Sequence, residues 1–164
     1  MSELLSELIG NDRASLKKQE RVKRAQIDFG FFCKYYLSDY FFTDPAEYQR
    51  ILYDVADTRA LSKETFKCLK PFINKKYHSL LKPTEHLAGA MFAEPREHGK
   101  TVRWSFAYVL WKVLAGKSNY ALLIGASGTA ASENLVNIRI EIEENELLLE
   151  DFGDLKAVSG VITG

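Results

Sequence analysis

Cysteine is scarce. Cys33 and Cys68 are the only two among 164 residues, and they lie far apart, outside any Cys-x-x-Cys pair. That argues against a zinc site and a disulfide framework, and it fits a reducing cytoplasm. Net charge is missing as well, since 22 basic residues cancel 22 acidic ones. A globally basic nucleic-acid binder of the histone type is excluded, although a local basic patch is not. No apolar run approaches a membrane span; residues 106–110 are typical of the longest. The opening ten residues carry Glu3 and Glu7 and too short an apolar stretch for a signal peptide. No internal repeat or low-complexity tract occurs. These absences predict a soluble, cytoplasmic protein with no membrane partner. What is present is a 46% hydrophobic and 12% aromatic composition, enough for an ordered core in one domain of this length.

The charges that cancel overall are unevenly placed. Arg13, Lys17, Lys18, Arg21, Lys23 and Arg24 crowd an early segment against only Asp12 and Glu20. Glu141, Glu143, Glu144, Glu146, Glu150, Asp151 and Asp154 crowd a late one. The late run reads as a solvated helix face. Two readings stand for the basic segment: contact with DNA phosphates, or with another subunit's acidic face.

Hydrophobic spacing predicts a short helix over residues 2–9 and a long one over residues 14–40. In the long one Val22, Phe29, Phe32, Cys33, Tyr36 and Tyr40 form a stripe and Gly30 is the weak point. Asp44-Pro45 reads as a helix start, with Asp44 as N-cap and Pro45 at the first position. Tyr48, Ile51, Leu52 and Val55 then share one side of that helix. A shorter helical stretch lies near residues 63–69, followed by Pro71 and basic turns up to Pro83. After Glu85 the pattern changes. Residues 87–93 read as a buried strand, 94–101 as a turn, and 101–115 as a helix with Val102, Phe106, Val109, Leu110 and Val113 on its apolar face. Gly116 is placed to stop that helix. Residues 120–126 read as a second buried strand. Residues 129–145 read as a further helix with Leu135, Ile138 and Ile142 inward. Strand, helix, strand, helix is the order of a right-handed parallel α/β unit. Residues 158–162 could open a third strand.

The turn between the first strand and its helix carries the chemistry. Glu94-Pro95-Arg96-Glu97-His98-Gly99-Lys100-Thr101 matches the end of the phosphate-loop pattern G-x-x-x-x-G-K-[ST], with Glu94 in place of the first Gly. Gly99 permits close approach of backbone to phosphate. Lys100 reaches the β- and γ-phosphates of ATP, and the Thr101 hydroxyl ligates Mg²⁺. Arg96 is a second cation for the γ-phosphate, or else a surface charge. His98 reads as a structural, loop-shaping residue, with a catalytic role as the less favoured alternative. A bare Gly-Lys-Thr is common by chance, and the alternative is a surface turn with Lys100 solvated. The predicted strand-to-helix junction is what favours nucleotide binding.

Pro95-Arg96-Glu97-His98-Gly99-Lys100-Thr101 resembles the deviant Walker A motif of tailed-phage terminase large subunits, the ATPases that package DNA. Further segments are similar to that family in order and spacing. They are the aromatic run of residues 32–41, Tyr48-Gln49 as an adenine-reading pair, residues 127–131, Ile138, Glu144-Asn145 and Asp151-Phe152-Gly153. The resemblance spans residues 29–153 and is poorest over 58–86. It implies an α/β fold, a P-loop NTPase-type parallel sheet that is incomplete here, with a helical N-terminal segment. It divides the chain into 1–57 (helical segment with the adenine-motif helix), 58–86 (variable connection) and 87–164 (first part of the ATPase core). It implies ATP and Mg²⁺ as cofactors, Arg96 and Lys100 as catalytic residues, and a nucleotide cradle of Pro95 to Thr101 with Tyr48 and Gln49. Double-stranded DNA, the phage portal, the terminase small subunit and further copies of the chain are the implied partners, in the host bacterial cytoplasm. The family continues into a Walker B strand and a nuclease domain, neither of which can be placed here. The chain therefore reads as a truncated N-terminal part, expected to bind nucleotide while turning over little of it. The competing readings are a non-catalytic nucleotide-, DNA- or protein-binding module, and another P-loop ATPase such as a helicase-like protein.

Overall fold

The computed structural model describes residues 17–153. The chain divides into two compact units, Met1–Phe42 with Glu97–Gly164, and Thr43–Arg96. The helix expected over residues 2–9, the strand expected over 158–162, and Arg13 lie outside the described residues.

In the first unit, the long helix expected over 14–40 is two helices, α1 (Lys18–Ile27) and α2 (Phe29–Tyr36). The break is at Asp28, not Gly30. Asp28 takes an extended backbone, and its carboxylate accepts the Phe31 N–H at 2.8 Å, capping α2. Gly30 passes inside α2 because its neighbours Phe29, Phe32 and Cys33 are buried and hold the turn in place. Residues 101–114 are helical as expected, but as a π-helix (Thr101–Ala107) running into α5 (Tyr108–Leu114). Gly116, at φ 67°, ends it in the left-handed conformation expected of it. α6 (Gly128–Glu144) and α7 (Glu146–Phe152) follow, N-capped by Ser127 and Asn145.

The core of this unit forms where α2 meets the helix after the loop. Phe29 touches Trp104, Tyr108 and Trp111 with ring centroids 6.4, 5.4 and 5.1 Å away. Trp111 is fully buried, and its indole N–H donates to the Ala25 carbonyl at 2.6 Å, which satisfies its one polar atom. The expected apolar face is partly right: Phe106 and Leu110 are buried, but Val113 is exposed and Trp111 takes the inward place. On α6, Ile138 is buried and Leu135 is exposed.

The two charge runs meet. Arg21 donates to both Asp151 oxygens, at 2.9 and 2.6 Å, and to Glu150 at 2.8 Å. Lys18 donates to the Glu150 carbonyl. Tyr36 donates to Asp151 at 2.7 Å. The late acidic run is therefore not simply a solvated face. Its Asp151 is buried, and the acidic partner of Arg21 belongs to the same chain.

In the second unit, α3 (Glu47–Thr58) and α4 (Lys63–Leu69) are followed by 3₁₀ turns at Lys70–Phe72 and Lys75–Tyr77. The start of α3 is two residues later than Asp44-Pro45 suggested. Ala46 is the N-cap, and the Gln49 side chain accepts its N–H at 2.9 Å. Residues 84–88 run beside the α3–α4 connection. Leu61 and Thr84 exchange two backbone bonds of 2.8 Å, and Leu87 N–H reaches the Arg59 carbonyl at 2.7 Å.

The expected parallel sheet is absent from the described residues, whose one ladder contact is the antiparallel bridge between Leu61 and Thr84. The α/β, P-loop NTPase-type architecture is thus corrected to a helical one. Residues 87–93 and 120–126 form no strand: Met91 is 95% exposed, and Tyr120, Leu122 and Ile124 are 78, 69 and 86% exposed. The physical reason is that a strand satisfies its backbone only through a neighbour. An apolar run shows that a segment favours burial. It carries no information on whether a partner lies beside it.

Candidate functional site

The boundary between the units falls between Arg96 and Glu97, inside the candidate loop. On the side of the second unit, Glu94 is half-buried and Pro95 and Arg96 are exposed. On the other side, Glu97 and Gly99 both adopt left-handed backbone, at φ 66° and 67°. This costs a non-glycine residue roughly 1–2 kcal/mol, and Gly99 much less. A Cβ at position 99 would meet only Arg103 Nη2, at 3.8 Å, so the glycine answers to backbone conformation and not to crowding. Lys100 returns to right-handed backbone, at φ −54° and ψ −47°, and heads the π-helix that begins at Thr101. His98 and Thr101 are exposed and Lys100 is half-buried.

Arg103 supports this turn and escaped the sequence reading. It is buried, its Nη1 donates to the His98 carbonyl at 3.0 Å, and its backbone N–H bonds to the Gly99 carbonyl at 2.9 Å. Its sequence signal was a cation in the inward stripe, three and four residues before Phe106 and Ala107. The Cys33 thiol is pushed well up by burial, with the Arg103 charge opposing that shift, so it is an inert core thiol. Two left-handed residues flank His98, a buried arginine fixes the carbonyl between them, and Lys100-Thr101 stands at a helix start.

No family model, curated protein or solved structure matches the chain. The likeness to the terminase loop therefore stands on these residues and their order.

The other segments of that likeness have structural work of their own. Tyr48 and Gln49 lie on the first turn of α3, in the second unit. Gln49 is buried, its Oε1 accepts from Ala46 N–H, and its Nε2 donates to the Tyr48 hydroxyl at 3.2 Å. The Tyr48 ring meets Phe72 at 5.9 Å. Asn145 caps α7 and donates to the Tyr36 carbonyl at 2.7 Å. Asp151 holds Arg21 and Tyr36. Among the described residues, no group of three or more His, Cys, Asp or Glu is gathered to hold a metal. A phosphate-loop Mg²⁺ asks for something else, a hydroxyl beside phosphate oxygens, and the exposed Thr101 is the residue of that type here.

Proposed function

We propose that this chain binds the phosphates of ATP through residues 97–101 and forms the N-terminal part of a DNA-packaging motor ATPase of the terminase large-subunit kind. One observation carries the reading: the left-handed pair Glu97 and Gly99 immediately precedes Lys100 and Thr101 at the head of a helix. Lys100 is the phosphate cation. Thr101 would hold Mg²⁺, which when bound neutralises phosphate charge. Arg96, the next cation toward the N-terminus in the chain, adds a second positive charge in this reading. Duplex DNA, a portal and a small subunit are the partners that go with it. Within the described residues no helix is long and apolar enough to cross a membrane.

The test is thermal denaturation with and without ATP and Mg²⁺. Ligand at about 100 times its dissociation constant should stabilise the protein by roughly 2.7 kcal/mol, and Lys100→Ala should lose that shift. Identical melting curves for both proteins at saturating nucleotide would reject the proposal. Phosphate release measured on the same two proteins separates binding from turnover.

A further inference from the structure

The connection that the phosphate-loop reading leaves unused is strongly basic. Residues 59–82 carry Arg59 and six lysines against the single carboxylate of Glu64, in a protein whose formal net charge is zero. Lys63, Lys67, Lys70, Lys75, Lys76 and Lys82 are all exposed. No ion pair reaches any of the six among the described residues.

Their arrangement follows from the helix. Lys63, Lys67 and Lys70 recur at intervals of four and three, so α4 and the 3₁₀ turn after it stack them on one face. Like charges at that spacing oppose one another, and Glu64, three residues before Lys67, is the one carboxylate on that helix. The next turn adds Lys75 and Lys76. It is held in shape by Asn74, whose side chain accepts the Lys76 N–H at 3.1 Å, and by a hydrogen bond of 2.8 Å between the His78 ring and the Ile73 carbonyl. Aromatic rings are set between the cations. Lys70 lies 5.9 Å from the Phe66 ring centre and Lys76 lies 4.7 Å from that of Tyr77. Phe72 and Tyr77 each remain 47% exposed.

Lysines with exposed rings among them are what a single strand requires: cations along its phosphates and flat faces for its unpaired bases. An acidic protein would use the cations and leave the rings idle. We propose that residues 63–82 bind single-stranded nucleic acid, the lysines lying along the backbone and Phe72 and Tyr77 stacking on bases. The proposal does not rest on the nucleotide-binding reading.

Fluorescence anisotropy with a labelled oligo-dT of about 16 nucleotides, titrated on the whole chain at several salt concentrations, tests it. Binding should weaken with salt by about 0.7 log units per log unit of salt for each phosphate neutralised. Combining Lys63→Gln, Lys67→Gln and Lys70→Gln should make that slope shallower by about 2. Glutamine is close to lysine in helix propensity, and an unchanged circular dichroism spectrum confirms that α4 survives. Tyr77→Leu should weaken binding about tenfold and leave the slope alone, since it removes a stacking face and no charge.

Absence of binding overturns the proposal, as does a triple variant with the parent's affinity and slope. Tighter binding of a duplex than of the single strand would assign the surface to duplex backbone instead. Equal affinity for heparin with no loss in Tyr77→Leu would make it a general polyanion surface. Binding confined to phosphatidylserine vesicles would make it a membrane surface. Each of these three results also overturns the proposal.

Discussion

At the scale of single residues, the loop concentrates its tension at Glu97. The residue holds φ 66° with a side chain that has no hydrogen bond or ion pair in the described structure, and it places a carboxylate beside the position proposed for phosphate. Glu97→Gly should therefore stabilise the protein by about 0.5–1 kcal/mol, the left-handed cost being offset in part by a freer unfolded chain. It should also tighten ATP binding, because a repelling charge is gone. Urea unfolding and a nucleotide titration read the two effects, and a loss of stability would reveal a side-chain role for Glu97. The turn at Gly99 and the helix start at Lys100-Thr101 were legible in the sequence because both are set within three residues. Gln49 and Arg103 were not. The capping contact of Gln49 follows only when Ala46 is known to be the N-cap three residues earlier, and that of Arg103 only when His98 and Gly99 are known to turn back toward it.

At the scale of elements, the helices expected near 63–69, 101–115 and 129–145 were recovered, the one expected over 14–40 is broken in two, and neither strand formed. The helix expected over 129–145 is α6 within a residue at each end, and the apolar run expected as a strand before it is irregular and mostly exposed. That segment is nevertheless anchored at one point. A Cβ on Gly125 would stand 2.7 Å from the Ala131 N and 2.9 Å from the Ser127 carbonyl oxygen, both backbone atoms. The N-terminal turn of α6 would have to move, since backbone cannot swing aside as a side chain does. Gly125→Ala should cost about 1–3 kcal/mol, in the range of overpacking elsewhere. Urea unfolding measures it. A neutral substitution would mean that residues 120–126 are not held against α6. The same scale explains the break at Asp28. Gly30 has the poorer helix propensity, but Asp28 offers a carboxylate to an N–H three residues ahead, and the buried aromatic side chains of α2 hold Gly30 helical.

At the scale of the molecule, the residues that close the first unit are far apart in sequence. Arg21 and Asp151 are separated by 130 positions and joined by two hydrogen bonds. Burial pushes the Asp151 carboxyl up, but the hydrogen bonds from Arg21 and Tyr36, with the charges of Arg21 and Lys18, outweigh it and hold the group below its ordinary range. Burial and the bond to Asp151 together push the Tyr36 hydroxyl up. A carboxyl depressed in the folded state contributes stability that is fully present above its unfolded value, about 3.9, and lost as pH falls through the folded value. Melting temperature should accordingly drop as pH falls below the ordinary carboxylate range, and Asp151→Asn should flatten that drop. Arg21→Ala should cost about 3–5 kcal/mol at neutral pH by leaving a buried carboxylate unpaired. An acid transition identical in Asp151→Asn and the parent would remove Asp151 from this role. Sequence by itself determined the helices, the stop at Gly116 and the Gly-Lys-Thr turn, because each depends on periodicity or on contacts a few residues apart. Only tertiary structure decided that the apolar runs at 87–93 and 120–126 form no sheet, that Trp111 and not Val113 faces the core, and that the acidic run meets Arg21. Pairing and burial are relations between distant segments, and a pattern confined to one segment does not contain them.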